Sequence, residues 1–254
     1  MGRCIAVTNQ KGGVGKTTTA INVAACLAEK GKKVLALDLD PQGNMTSGLG
    51  LEKNALEQTI YQVLLGESTL KAVLQETYFD GLTVAPTNRN LAGAEIELIG
   101  YEKREFRLKN ALADVREAYD FIIIDCPPAL NVLTINAMVA ADTVLVPIQC
   151  EYFALEGLEQ LLHALGLVRK SLNPRLALEG IVFTMYDART NLSAQVVEEV
   201  KASIAGKDVY QCIIPRSVRL SEAPSHGLPI VAYDPRSKGA EAYRILAEAV
   251  MDWR

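Results

Sequence analysis

The sequence predicts an α/β fold: a mostly parallel, twisted sheet with helices on both faces, in a single domain. Three observations carry this. Short, β-branched, almost wholly apolar runs alternate with longer stretches whose apolar residues recur at about 3.6-residue spacing. The runs lack the apolar–polar alternation of a half-exposed sheet, as strands covered on both faces should. The glycine-rich and acidic segments follow these runs directly, at the strand carboxyl ends where such sheets hold their ligands.

Arg3–Thr8, Lys33–Leu37, Leu82–Ala85, Phe121–Ile124, Thr143–Val146, Gly180–Thr184 and Val209–Ile214 read as strands. Lys16–Lys30, Arg104–Ala118, Leu155–Ser171, Leu192–Ile204 and Gly239–Trp253 read as helices, the first stopping before Gly31. Gly50 to Gly100 is the least regular stretch and reads as helical insertions around one strand. No repeat or low-complexity linker divides the 254 residues, so residues 1–254 are expected to form one domain.

Twenty-six Lys and Arg against 30 Asp and Glu leave a net charge of −4, which excludes a chain coated in positive charge. Nucleic-acid binding would have to come from a local patch. Five cysteines without a C-x-x-C pair argue against a disulfide framework or zinc ribbon and for a reducing compartment. Met1-Gly2-Arg3 leads straight into an apolar strand without the core of a secretion signal. No apolar run approaches the ~18 residues of a membrane span. A cytoplasmic protein is expected. His163 and His226, the only histidines, have no metal-site company in the sequence.

The first strand runs into Gln10-Lys11-Gly12-Gly13-Val14-Gly15-Lys16-Thr17-Thr18 and then a helix. Glycines let backbone N–H groups curl around phosphate oxygens, and a helix N-terminus favours the anion. A lysine reaching the β- and γ-phosphates and a hydroxyl holding magnesium complete such a loop, and Lys16 and Thr17 fit those roles. The spacing departs from G-x-x-x-x-G-K-[ST] at Gln10, and a second lysine, Lys11, follows. Lys11 is either a local counter-charge or a group that neutralises charge across an interface.

After the second strand, Asp38-Leu39-Asp40-Pro41-Gln42-Gly43-Asn44 places two carboxylates at i and i+2, on one face of the strand. Asp40 is assigned to orient or activate an attacking water, with Asp38 supporting it and the magnesium shell. Phe121-Ile122-Ile123-Ile124-Asp125 is an apolar strand ending in an aspartate, placed to bond a magnesium-bound water or Thr17. Pro127-Pro128 then forces a rigid, non-helical exit suited to sensing a γ-phosphate. No second-substrate pocket is legible, so water is the expected acceptor and slow ATP hydrolysis the expected reaction. Cys126 reads as a lone buried thiol.

These three motifs together resemble the ParA/MinD group of P-loop ATPases with a deviant Walker A motif. Asp38–Asn44, Leu91-Ala92-Gly93-Ala94-Glu95, Gln149–Gly157 and Arg219–Gly227 narrow the resemblance to the chromosomal ParA, or Soj, subgroup, over nearly the whole chain. The resemblance implies two copies that sandwich two ATP molecules, with Lys11 reaching the partner's nucleotide. It implies catalytic roles for Lys11, Lys16 and Asp40, and nucleotide contacts from Lys11, Gly12, Gly13, Val14, Gly15, Lys16, Thr17, Thr18 and Asp38. Glu151 is placed toward the partner's ribose, and Met185, Pro215 and Arg216 toward adenine. Magnesium falls to Thr17 and, through water, to Asp125. Gly12→Val is expected to crowd Lys11 and block dimer closure.

The resemblance also implies nonspecific double-stranded DNA binding by the ATP homodimer at the nucleoid, and reset of the dimer by a ParB-like centromere-binding protein, in chromosome or plasmid segregation. Arg189, in Asp187–Asn191, matches the family's DNA-contacting loop, and Arg219, Arg236, Lys238 and Arg254 join it. No helix-turn-helix or zinc signature is present, so phosphate contacts without base readout are expected. A rival reading is a MinD-like or cargo-positioning ATPase acting on a protein. The last helix, with Arg244 its only internal basic residue, lacks the basic amphipathic tail that membrane binding needs. A metal-cluster carrier would need paired cysteines, and the acceptor site of an amidoligase is not legible.

Overall fold

A computed structural model describes residues 2–204 and 210–253. In chain order the strands are β1 (Arg3–Val7), β2 (Val34–Asp38), β3 (Gln75–Glu76), β4 (Leu82–Ala85), β5 (Phe121–Asp125), β6 (Thr143–Gln149), β7 (Ala177–Tyr186) and β8 (Tyr210–Pro215). The helices of the first half are α1 (Lys16–Glu29), α2 (Asn44–Gly48), α3 (Ile60–Leu65), α4 (Leu70–Val73), α5 (Leu91–Glu97) and α6 (Arg107–Leu112). Those of the second half are α7 (Val132–Ala140), α8 (Ala154–Ser171), α9 (Asn191–Ser203), α10 (Val218–Glu222), α11 (Ile230–Tyr233) and α12 (Lys238–Asp252). All eight strands form one sheet in the order β3-β4-β2-β5-β1-β6-β7-β8, parallel except for the β3–β4 edge pair.

Two apolar layers cover the sheet, and alternate residues of each strand feed them. Cys4 and Ala6 of β1, with Ile122 and Ile124 of β5, face the layer shared with α3 and α5–α9. Ile5 and Val7, with Phe121 and Ile123, face the layer shared with α1 and α12. Burial on both faces is why these strands read as continuous apolar runs. Arg244 pairs with Glu29 at 2.7 Å, seating α12 on α1 as a docked helix. Among the described residues no helix is long and apolar enough to cross a membrane.

The structure corrects several boundaries. The helix expected over Arg104–Ala118 breaks into a 3₁₀ turn (Arg104–Phe106), α6 and a second 3₁₀ turn (Arg116–Ala118). The cause is Asn136. Its amide Nδ2 donates to Arg104 O at 2.9 Å and its Oδ1 accepts from Leu108 N at 3.1 Å, so it stands between the two groups that an i→i−4 bond would join. The irregular segment holds β3 as well as the expected β4. Helix α7 was not foreseen after Pro127-Pro128. Its signal was Asn131, whose side chain caps Leu133 N and Thr134 N at 3.1 Å. Val209 and Arg254 lie outside the described residues.

At the sheet end opposite the glycine loop, Glu179 is fully buried. It accepts from Arg3 and Tyr210 at 3.0 Å and also from Thr143. Arg3 donates to Trp253 O at 2.8 Å, tying β1 to the end of α12. Desolvation raises the Glu179 carboxyl pKa, with Arg3 opposing. A carboxyl raised on folding contributes stability below its unfolded pKa and loses it as pH rises through the folded one. Arg3→Met leaves this charge without its cation. Urea unfolding is expected to show a loss of about 3 kcal/mol, larger at pH 8 than at pH 5.

Candidate functional site

The glycine loop lies where β1 ends. Gly13 and Gly15 adopt left-handed backbone, with φ of 74° and 85°, which favours glycine at both. Gly15 is the N-cap of α1, so the free N–H groups of the first helical turn open onto the loop. Asn9 fixes the loop's entry, donating to Pro147 O at 2.7 Å and accepting from Lys11 N at 3.0 Å. Thr184 fixes its far side, donating to Val14 O at 2.8 Å.

Lys16, 6% exposed, folds back so that its ammonium donates to Lys11 O at 2.9 Å. Burial lowers its pKa, opposed chiefly by Asp125 and also by Asp40. Lys11 ends elsewhere. Its ammonium pairs with Glu151 at 2.7 Å, across 140 residues of sequence, and both side chains are substantially exposed. Within one chain Lys11 is therefore a counter-charge to Glu151 and not to its own phosphate loop. Apart from its chain neighbours Lys11 and Gly13, a Cβ at Gly12 would meet no described atom within 4 Å, so any crowding by Gly12→Val falls on those neighbours or on a second copy.

The carboxylates converge from neighbouring strands. Asp38 ends β2 opposite Asp125 of β5, and both are fully buried. Asp38 accepts from Thr46 N at 2.8 Å, Thr46 Oγ1 at 2.7 Å and Asp40 N at 3.2 Å. It thus holds the turn that presents Asp40, whose Oδ1 accepts from Gln42 N at 2.9 Å. Burial pushes the Asp38 carboxyl up to about 6 despite these bonds. These bonds fit the expected support of Asp40 by Asp38.

Neither oxygen of Asp125 has a partner among the described residues, and burial raises its pKa well above the ordinary value, Asp38 adding to the effect. Two orphaned, fully buried carboxylate oxygens at the mouth of a phosphate loop fit a magnesium-bound water, with Thr17 beside them at the start of α1. Bound magnesium would neutralise charge on the phosphates.

Two adjoining cavities share Gly15, Thr18 and Met185. One, of about 360 Å³, opens over Lys16, Thr17, Asp40 and Pro128. The other, of about 320 Å³, is walled by Ile214, Pro215, Arg216, Val218 and Tyr243 and is mostly apolar. A polar cleft joined to an apolar one suits a triphosphate and its base. Met185, Pro215 and Arg216, placed toward adenine by the resemblance, line the apolar cavity. Sequence reasoning missed Tyr243, 1% exposed and in hydrogen-bond contact with Thr19 at 3.2 Å, because it comes from α12, far along the chain. Gln42 and Asn44, also missed, line the polar cleft. The signal for them was present, since they follow Asp40 in the same turn.

The basic candidates spread over three exposed segments. Arg189 precedes α9, Arg219 lies in α10, and Arg236 and Lys238 stand at the start of α12. Arg254 lies outside the described residues. The described cysteines are unpaired, and no cluster of metal-ligating residues is found among the described residues.

Fold and site define a P-loop nucleotide-binding protein with two lysines in its phosphate loop. The pattern of a family described as an AAA domain matches residues 2–178. The sporulation initiation inhibitor protein Soj of Bacillus subtilis is 58% identical over 98% of each chain. The chromosome partitioning protein ParA of Myxococcus xanthus is 52% identical over 99% of this chain and 88% of its own. A solved structure described as cobyrinic acid a,c-diamide synthase from Mycobacterium smegmatis, with bound ADP and magnesium, is 42% identical. It aligns with a TM-score of 0.87 over 99% of this chain and 94% of its own. The chain belongs to the Soj/ParA family of P-loop ATPases.

Replacing Asp125 by Asn removes a buried, unpartnered charge. Because the folded pKa of Asp125 is raised, its ionised form weakens the nucleotide-free fold as pH rises. Asp125→Asn is expected to raise the nucleotide-free Tm by roughly 2–4 °C, the shift about 1 kcal/mol gives at this size. The gain should be larger at pH 8 than at pH 5 in calorimetry. The same variant should weaken magnesium-supported ATP binding by about tenfold or more, read by fluorescent-nucleotide titration.

Proposed function

We propose that the whole chain works as one magnesium-dependent ATPase domain in chromosome or plasmid partitioning. ATP binds with its phosphates on Gly12–Thr18 and its base between Met185, Pro215 and Arg216. Two loaded copies close face to face. Asp40 orients the attacking water, and water is the phosphoryl acceptor. Hydrolysis, stimulated by a ParB-like centromere-binding protein, opens the dimer again. While closed, the dimer holds nonspecific DNA through Arg189, Arg219, Arg236, Lys238 and Arg254, which places the protein in the cytoplasm on the nucleoid.

The observation that carries this reading is Lys11. A phosphate-loop lysine whose ammonium lies outside its own loop, against Glu151 on the open rim, has a use if a second nucleotide approaches that rim. The exposed aromatics Tyr152 and Phe153, 79% and 62% accessible, directly follow Glu151 and are the kind of surface an interface covers. Kinship with the Bacillus and Myxococcus proteins supports the partitioning role. The site also suits slow hydrolysis, since phosphoryl transfer needs positioning and electrostatics more than covalent chemistry.

Anisotropy of a labelled random-sequence duplex tests the DNA step. Binding with ATP but not ADP is expected, falling steeply with salt. Arg189→Glu should weaken it at least ~10-fold, since one phosphate contact is replaced by repulsion at two symmetric places. Turnover of ATP with no duplex binding in any nucleotide state would refute the DNA step and favour positioning of a protein cargo.

A further inference from the structure

The arginine expected to meet DNA is already engaged. Arg189 has 86% of its side chain exposed, yet its guanidinium forks onto Asp187. Nε donates to Oδ1 at 2.9 Å and Nη2 to Oδ2 at 2.7 Å. The backbone N–H of Arg189 also donates to Oδ1, at 3.0 Å. This is the planar, two-point geometry with which arginine grips a phosphate. Asp187 therefore occupies one of the faces a DNA phosphate would use.

The acid is fixed where the arginine is not. Only 21% of the Asp187 side chain is exposed. Its carbonyl accepts from Thr190 N at 3.1 Å and Thr190 Oγ1 at 3.0 Å, and Thr190 in turn caps α9. The paired guanidinium, chiefly through its hydrogen bond, holds the carboxyl well below the usual range, and the charge of Arg216 adds to this. At pH 7 the acid is a full negative charge beside Arg189. The pattern recurs at Arg219, whose Nη1 meets Glu222 at 3.0 Å and whose Nε lies 3.7 Å from Asp234.

We propose that Asp187 is a resident counter-anion for Arg189 that a DNA phosphate must displace, so that the patch on one protomer is held too weak to grip DNA alone. The inference rests on the DNA-binding reading above. It gives ATP control a physical basis. With part of its charge cancelled locally, a single patch binds weakly, and two patches joined in a dimer cross the threshold by acting together.

Asp187→Asn removes the charge and keeps an oxygen to accept the Arg189 N–H, so the turn before α9 is retained. Asp187→Ser, which keeps a shorter acceptor, is the second variant, and circular dichroism melts check the fold of both. In the duplex titration with ATP, both variants are expected to bind about tenfold tighter than wild type, with a log–log salt slope steeper by about 1 per protomer. Tighter binding with ADP is expected as well. The gain should vanish in an Arg189→Ala background, because the acid acts through that arginine. Equal or weaker binding by both variants overturns the proposal, as does a gain that survives Arg189→Ala. Wild type that binds no duplex in any nucleotide state brings down the DNA reading, and this inference with it. The wild-type curve thus separates the two failures.

Discussion

Two buried carboxylates stand in register on neighbouring parallel strands, and the charge of one buried lysine, Lys16, acts on one of them, Asp125. Asp38 and Asp125 are paired in register at the carboxyl ends of β2 and β5 and are both fully buried. Hydrogen bonds from Thr46 favour the charged form of Asp38, and Lys16 favours that of Asp125, against the cost of burial. Like charges this close raise each other's pKa, and so does burial. Such an arrangement weakens the fold unless a ligand completes it. It is accepted at sites where binding returns the difference. The apolar strands, the alternating burial on the two faces and the anchoring of the sheet's other end by Arg3 and Glu179 all serve to hold that end of the sheet rigid.

One short piece of chain, residues 184–189, links the nucleotide cavities to Arg189 of the proposed DNA surface. Thr184 is bonded to the phosphate loop. Met185, next to it, has a φ of 53°, unusual for a residue with a long side chain, and lines both cavities. Tyr186 O then accepts from Arg216 N at 3.0 Å, and Asp187 holds Arg189. Four residues thus lead from the loop carbonyl of Val14 to the acid that restrains the arginine. On the opposite rim Lys11 and Glu151 restrain each other. In both places a cation named in the proposed function is held by a carboxylate of its own chain.

Much of this was legible in the sequence. The phosphate loop, Asp40 and Asp125 announce themselves because their chemistry requires fixed spacing after an apolar strand. The parallel sheet was legible because burial on two faces leaves no polar alternation. What escaped depended on contacts between distant segments. The break in the Arg104–Ala118 helix is made by a side chain from α7, and periodicity within the helix carries no trace of it. The role of Asp38 as the clasp of the Asp40 turn depends on Thr46, eight residues on. Tyr243 joins the wall of the apolar cavity only because α12 packs back on α1. The pairing of Lys11 with Glu151 is likewise invisible to motifs, since it spans 140 residues, while Asp187 stands two residues from Arg189 and only the geometry of their fork needed the structure.

In the proposed function ATP joins two chains through Lys11. The most direct test is molar mass by light scattering on the Asp40→Ala chain, which should hold ATP without turning it over, and on the same chain carrying Lys11→Ala. The prediction is a dimer with magnesium and ATP, a monomer with ADP, and a monomer with ATP once Lys11 is gone. A monomer in every nucleotide state, or an ATP dimer that persists without Lys11, would contradict it.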